Sequence, residues 1–336
     1  MSYDERHYED GIYRQRNGST FEYYYINNDE KVSNKDIERI KGLKIPPAWI
    51  EVWIARDPSS AIQAIGRDSR GRKQYRYNRI HIEEADHKKF IRLRNFIKQL
   101  PPFNKILMEH SKLPMYEKNR ITSLMIRIVQ DHNLRLGKNI YARTNKSYGI
   151  SSLRKRHVTI YNNTVILKFM GKSKQKLHYT ISNPFYVKSI RMLMKLDGDR
   201  LFQYVTTTPG GREKVSNICD ADLNKYIQEH MSSDFSIKDF RTHGANYYFI
   251  KSLLSETRKR APKNRKVIKK NLSNAIKSTA RQLKHTGAVS RKSYILEFAI
   301  ELYQNTPEFF VEKKNEDPNI VLLLLLKTYQ KNMINQ

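Results

Sequence analysis

A single cysteine, Cys219, stands in 336 residues; it excludes an internal disulfide framework and suits a reducing compartment. No His/Cys cluster has the spacing of a zinc site, and no glycine-rich loop of the P-loop kind occurs. Neither a bound metal nor ATP is therefore expected, and no cofactor. Long apolar runs are missing as well. The longest, from Ile320 to Leu326, is far short of the ~20 residues a spanning helix needs. No apolar segment follows Met1, so a secretory signal is not expected. Acid is scarce: 33 Asp and Glu face 63 Lys and Arg, a formal charge of +30. A charge that large repels the compact state unless a polyanion offsets it. Nucleic acid is the leading partner; an anionic membrane surface is the runner-up, weakened by the missing apolar run.

The length suits two domains, or one large one, with an ample core. The first part reads as strands. Phe21 to Ile26 is one, the rigid Ile45-Pro46-Pro47 turn introduces a second through Ile54, and Ala61 to Gly66 is a third. Next, Arg67, Arg70, Arg72, Lys73 and Arg76 are interleaved with Gly71, Gln74, Tyr75 and Tyr77. That mixture suits a loop and strand lying against phosphates. Gln74 can pair with an adenine edge, and Lys73 or Arg76 can reach guanine or phosphate. A solvated basic edge strand is the plain alternative.

Strand pattern gives way to helix at about Glu83 to His87. One apolar face runs from Phe90 to Leu100 and is expected to end at Pro101-Pro102; another runs from Ile121 to Val129. Gly137 reads as the C-cap of the latter, leaving Arg135 at the end of a buried helix. His157 to Tyr161 and Thr164 to Met170 form a hairpin, and the turn at Gly171-Lys172-Ser173-Lys174 leads into Leu177 to Ile181. Lys172 sits on a turn tip, where most lysines are simply solvated. Helices follow from Tyr186, from Asp220, and from Ile237 behind Ser236, the last carrying Arg241 in its first turns. Glu256 to Lys270 carries eight Lys and Arg around Pro262 and reads as a loop. Ile268 to Leu283 repeats one apolar face, which Thr286-Gly287 is expected to stop. Ser290 can then cap a helix with Tyr294 just inside its first turns, close to His285.

The order Arg135, Lys172, Lys238-x-x-Arg241, His285 and Tyr294 resembles the catalytic set of type IB DNA topoisomerases, most nearly the small poxvirus-like and bacterial branch and an enzyme of a large DNA virus. Ile45-Pro46-Pro47-Ala48-Trp49, Gly71-Arg72-Lys73-Gln74-Tyr75, Leu153-Arg154-Lys155-Arg156-His157, Phe169-Met170-Gly171-Lys172 and Lys238-Asp239-Phe240-Arg241-Thr242 extend the likeness from about Ile45 to Leu302. Ser173 stands where many relatives carry Asp, and the segment after Asn305 finds no counterpart. The resemblance implies an α+β protein: a small β-rich domain over residues 1–85 that clamps DNA, and a mainly α-helical catalytic domain over 86–336 of the tyrosine recombinase/type IB topoisomerase kind, with a short β-hairpin sheet. The two would close on duplex DNA as a C-shape.

The same resemblance implies relaxation of supercoiled DNA, without ATP or a required metal, through a 3′-phosphotyrosyl link formed by Tyr294 and then religated. Charge builds on the nonbridging oxygens during attack, and Arg135, Arg241 and His285 suit the work of holding it. The leaving 5′-oxygen needs a proton, which Lys172 can supply; the base for Tyr294 is left open. Arg67, Arg70, Arg72, Lys73, Gln74, Tyr75, Arg76, Tyr77, Tyr141 and Lys238 make the expected DNA-contacting set. The partner is double-stranded DNA, with no membrane and a monomeric enzyme. An intracellular location is expected, with virion, viral factory, host nucleus and cytoplasm not separated. Two rivals remain: a tyrosine recombinase, which typically carries His-x-x-Arg where Lys238-x-x-Arg241 stands, and a DNA-binding protein without catalysis.

Overall fold

The computed structural model describes residues 10–334, with side chains for all of these except 83 and 331–334. The first nine residues of the β-rich domain expected over 1–85 lie outside the described residues. By its contacts the chain divides into two compact units, Met1–Lys89 and Phe90–Gln336. It mixes helices with small antiparallel sheets.

In the first unit, β1 (Ile12–Asn17), β2 (Thr20–Tyr25), β3 (Ile50–Ile54), β4 (Ile62–Arg67) and β5 (Lys73–Tyr77) form one sheet in the order β2-β1-β3-β4-β5, every neighbouring pair antiparallel. The helix α1 (Asn34–Gly42) starts at Ser33, whose hydroxyl accepts from Asp36 N at 3.2 Å, satisfying one of the free amides of the first turn. Ile40 on α1 then joins Ile12, Val52, Ile54 and Ala64 of the sheet in one core.

The long α2 (Arg79–His110) begins in the first unit and ends in the second. It runs through Pro101-Pro102, where the sequence predicted a stop. An interior proline costs a helix about 3 kcal/mol. Phe103 and Leu107, each 1% exposed beyond the prolines, return about 1.5–3 kcal/mol apiece by burial. That offsets most of the penalty and carries the helix on.

In the second unit, α3 (Lys118–His132) and α4 (Asn139–Thr144) precede a three-stranded sheet of β6 (Val158–Tyr161), β7 (Thr164–Met170) and β8 (Lys176–Ile181). On β7 and β8 the side chains alternate, with Val165, Leu167, Phe169, Leu177, Tyr179 and Ile181 turned inward. They share a core with α3, α5 (Pro184–Leu193) and α6 (Asp220–His230), while β9 (Gln203–Thr207) and β10 (Glu213–Asn217) make a separate two-stranded ribbon. A second core joins α7 (Ile237–Lys259), α8 (Arg265–Leu283), α10 (Glu297–Asn305), α11 (Glu308–Glu312) and α12 (Pro318–Ile334). The chain after Asn305 is thus built in: Val321, Leu322 and Leu325 of α12 pack with Phe249, Ile250 and Leu253 of α7.

Three expectations are corrected. The basic stretch from Glu256 to Lys270 is helical apart from residues 260–264, since α7 and α8 close over it. The helix α8 is stopped by Lys284, in the left-handed region at φ 54°, and not by Gly287. Amides of Lys284 and His285 return to the carbonyls of Arg281 and Ala280, which satisfies the helix end as a glycine would. Lastly, Thr286 caps the short α9 (Gly287–Ser293), its hydroxyl accepting from Val289 N at 3.3 Å. Tyr294 therefore follows the last residue of α9 instead of riding its first turn.

Candidate active site

Arg241 anchors the site. The start of α7 is fixed by Asp239, whose carboxylate accepts from Ser236 N at 2.8 Å and is gripped by both arms of the Arg92 guanidinium at 2.7 Å. One turn in, Arg241 is 4% exposed. Its Nη2 donates to Leu283 O at 3.2 Å and to His285 Nε2 at 2.5 Å. Its Nε and Nη1 are buried with no hydrogen-bond partner. A buried donor left unpaired costs about 1–3 kcal/mol, so this guanidinium is poised for an anion.

His285 and Tyr294 lie face to face, ring centroids 4.9 Å apart, and the Arg241 guanidinium is 5.8 Å from the Tyr294 ring. Burial lowers the His285 imidazole to about 3, with the charges of Arg241 and Arg135 adding to it. Burial also pushes the Tyr294 phenol up, but the charge of Arg241 beside it, together with Arg135 and Lys238, more than reverses that, and the net shift is downward. A phenol held below its ordinary range carries more phenolate at a given pH, which is what a tyrosine nucleophile requires.

Arg135 comes to the site from a loop, because α3 stops sooner than Gly137 suggested. Asn133 ends it in the left-handed region at φ 53°. The Arg135 carbonyl accepts from Ile150 N at 2.8 Å, and Ser151 N binds the carbonyl of Leu136 at 2.9 Å. A Cβ on Gly149 would stand 2.4 Å from the Arg135 oxygen, so only glycine lets these strands of loop approach. A similar approach holds α3 to α7: a Cβ on Gly244 would meet Asn133 Oδ1 at 2.0 Å.

One residue the sequence did not single out holds Tyr294 in place. Asn246, 1% exposed, donates to the carbonyls of Tyr294 at 3.0 Å and Thr242 at 2.8 Å, and accepts from Leu296 N at 3.0 Å. The available signal was a polar residue on the apolar stripe of Phe249, Ile250 and Leu253. Ser290, fully buried, faces His285 Nδ1 at 3.4 Å.

Tyr294, Arg241 and His285 thus come together, with Arg135 and Lys238 near enough for their charge to act on the phenol. Lys172 does not: it is exposed on the turn Lys172–Lys174 between β7 and β8, with no hydrogen bond or ion pair to that group among the described residues. Ser173 and Lys174 there have φ of 61° and 57°, and Gly171 N closes the turn on Gln175 O at 2.7 Å.

The DNA-contacting set falls largely on the β4–β5 hairpin of the first unit. Asp68 organises its turn, accepting from the amides of Arg70 and Arg72 and from the side chains of Arg72 and Gln74. Those bonds, the Arg72 side chain first, draw its carboxyl down to about 2. Arg67 pairs with Glu51 at 2.6 Å. On β5 the faces alternate: Lys73, Tyr75 and Tyr77 are exposed, the two tyrosine rings stacked at 6.0 Å. Arg76 faces the other way, bound to Lys44 O at 2.7 Å and lying over Trp49. In the second unit Tyr141 is 52% exposed on α4.

Comparison with known proteins shows the family. Residues 72–316 match the family described as eukaryotic DNA topoisomerase I, catalytic core, and residues 20–68 match the bacterial DNA topoisomerase IB N-terminal domain. The chain is 61% identical to a DNA topoisomerase 1B of Acanthamoeba polyphaga mimivirus over 336 residues, all of both chains. That match takes in the segment after Asn305. It is 24% identical to the DNA topoisomerase 1B of vaccinia virus (strain Copenhagen) over 81% of this chain and 83% of that one. Rabbit fibroma virus DNA topoisomerase 1 gives 24% over 82% and 84%. No helix among the described residues is long and apolar enough to cross a membrane. The chain belongs to the type IB DNA topoisomerases, enzymes whose substrate is DNA.

Proposed function

We infer that this topoisomerase relaxes supercoiled duplex DNA by breaking one strand through Tyr294. The phenol oxygen forms a bond to phosphorus, the bond to the 5′-oxygen breaks, and a 3′-phosphotyrosyl link holds the strand until the 5′-hydroxyl attacks back. Because the link conserves the phosphodiester energy, neither ATP nor metal is needed. The observation that carries this reading is Arg241, buried beside Tyr294 with two unpaired donors. A phosphate oxygen is the partner that arrangement lacks. Arg135 adds a second cation, and His285 a third group for the nonbridging oxygens.

Lys172 is the general acid, delivered from its turn once DNA is bound; many catalytic contacts tighten only in the complex. In the first unit, Arg67, Arg70 and Arg72 at the β4–β5 turn and Lys73, Tyr75 and Tyr77 on one face of β5 meet the duplex, while Gln74 and Arg76, on the opposite face, reach it by leaving Asp68 and Lys44 O. Tyr141 and Lys238 hold the duplex from the catalytic unit, whose fold is of the tyrosine recombinase kind. The enzyme acts as a monomer inside the cell.

The test is relaxation of a supercoiled plasmid in EDTA without nucleotide. Both positive and negative supercoils should be removed, and Tyr294→Phe should form no denaturant-stable adduct with DNA. A strict need for metal or ATP, or an adduct with Phe at 294, overturns the reading.

A further inference from the structure

The cleavage chemistry leaves the groove between α7 and α8 unused, yet that groove opens on one of its residues. The two helices run in opposite directions. Arg241 meets the Leu283 carbonyl at one end of the pair, and toward the other Asn274 and Asn271 reach Glu256 and the Arg260 carbonyl. Between them lies a groove of about 870 Å³ with His285 among its lining residues. On α7, Tyr248, Ser252, Ser255 and Lys259 line it. Their helical spacing puts them on the face that also carries Arg241.

The groove is basic and its donors are unspent. Lys251 and Lys259 edge it on α7, and Lys277 and Arg281 on α8, all of them exposed. The side chains of Lys277 and Arg281 make no hydrogen bond or ion pair among the described residues. Glu256, the acid in the lining, is already taken up by Arg260, Lys259 and Asn274. Ser252, Ser255 and Ser278 lie between the cations and bond to no carbonyl. By contrast, Thr257 and Thr279, buried on the same two helices, donate back to Leu253 O and Ala275 O at 2.8 Å. Free hydroxyls between point charges suit phosphate oxygens, and Tyr248 alone in the lining makes no platform for stacked bases. From Asn274 to Gln282 α8 advances about 12 Å. One strand of a duplex carries a phosphate every ~3.4 Å of its axis, so about three or four phosphates fit that length.

We propose that the α7–α8 groove is a track for the DNA backbone, holding the phosphates to one side of the scissile one. Lys277 and Arg281 are its main positioning residues, faced by Lys251. The inference rests on the scissile phosphate lying at Tyr294. His285 stacks on Tyr294 and also lines the groove, so a backbone held at that pair enters the groove simply by continuing. Contacts of this kind set the register of the duplex without reading its sequence.

The experiment compares Lys277→Ala/Arg281→Ala with Lys266→Ala/Lys270→Ala, which removes equal charge from exposed positions of α8 outside the groove. Binding is measured against salt in a Tyr294→Phe background, on a short duplex with one mapped cleavage site. The groove variant should flatten the plot of log affinity against log salt by roughly 1.8, two contacts at about 0.9 each, and the control should flatten it less. The difference should vanish when the arm lying in the groove is cut back to the scissile phosphate, and persist when the other arm is cut. A slope does not depend on the folded fraction, so a partly unfolded preparation does not imitate the effect. Equal slopes for groove variant and control, or a difference indifferent to which arm is cut, overturn the track. A deficit seen only when a second duplex is added overturns it too, and gives the groove to that duplex. With Tyr294→Phe forming no adduct, any of these results sinks this inference alone. An adduct from Tyr294→Phe sinks the underlying reading with it.

Discussion

Arg241 Nη2 lies 2.5 Å from His285 Nε2, and a guanidinium has only protons to give. His285 Nε2 is therefore the acceptor, and the ring proton sits on Nδ1, toward Ser290 Oγ. Burial, reinforced by Arg241 and Arg135, holds the imidazole at about 3, so it is neutral at any pH at which the enzyme would be assayed. For His285 to donate to a phosphate oxygen, Arg241 must turn its Nη2 to the DNA and the imidazole must change tautomer. Charging the ring is not required.

A pH profile follows from this. Single-turnover cleavage should show no inflection near 6.5, and His285→Ala should lower the rate without changing the shape of the curve. The inflection that does occur belongs to Tyr294, whose phenol lies below its usual 10 because Arg241, with Arg135 and Lys238, outweighs burial. Phenolate increases with pH, so the rate should climb toward that point. Arg241→Ala should cost about 10²-fold and also move the inflection upward, since the main opposing charge is gone. An inflection near 6.5 that disappears in His285→Ala would show that the imidazole titrates in the working range.

Stability should respond to acid through the same kind of group. Burial, with Arg156 and Arg154, lowers His157 to about 4, and its Nδ1 accepts from the Arg154 amide at 3.1 Å. The unfolded chain binds these protons near 6.5, the folded chain only near 4 for His157 and 3 for His285. The stability contributed is thus complete above about pH 6.5 and is lost as pH falls through the folded values. The melting temperature should decline progressively below pH 6.5, and less steeply in His157→Asn. A melting temperature that holds or rises between pH 6.5 and 4.5 contradicts this.

Asn246 offers a separate measure of how Tyr294 is held. Asn246→Ala removes the bonds to Tyr294 O and Leu296 N and leaves both backbone groups short of a partner. Each buried loss costs about 1–3 kcal/mol, so the melting temperature should fall. Cleavage should slow as well, because Tyr294 is then free to leave the face of His285, while DNA binding is kept. Normal cleavage by a destabilised Asn246→Ala would mean that the bond to Tyr294 serves the fold alone.

Asn246 also shows where the sequence stops being legible. Alternation made β7 and β8 readable, and the ordered Arg, Lys, Arg, His and Tyr set pointed to the chemistry. A polar residue on an apolar helical stripe has no such signature, since two of the three backbone partners of Asn246 lie about fifty positions away. Helix ends were misread for a related reason. Pro101-Pro102 and Gly287 carry strong local preferences, yet burial of Phe103 and Leu107 overrides the first, and Lys284 takes the left-handed position expected of Gly287. That single difference puts Tyr294 at the end of α9 instead of its start. Register along the chain was legible; which residue closes a helix depended on packing that no local window contains.

Lys172 stands exposed on its turn, and its proposed chemistry gives the sharpest test. In the proposed acid role it protonates a 5′-oxygen that would otherwise depart as a strongly basic alkoxide. Replacing that bridging oxygen with sulfur brings the leaving group near the thiol value of about 8.5, and a thiolate can leave unaided. Lys172→Ala should then be severely slow on ordinary DNA, by about 10²-fold or more, and close to wild type on DNA with sulfur at the scissile 5′ position. Arg241→Ala should stay slow on both, because a clamp on the nonbridging oxygens is indifferent to what departs. The two variants separate on one substrate pair. Equal deficits of Lys172→Ala on oxygen and sulfur would take it out of the acid role and make it a phosphate clamp like the arginines.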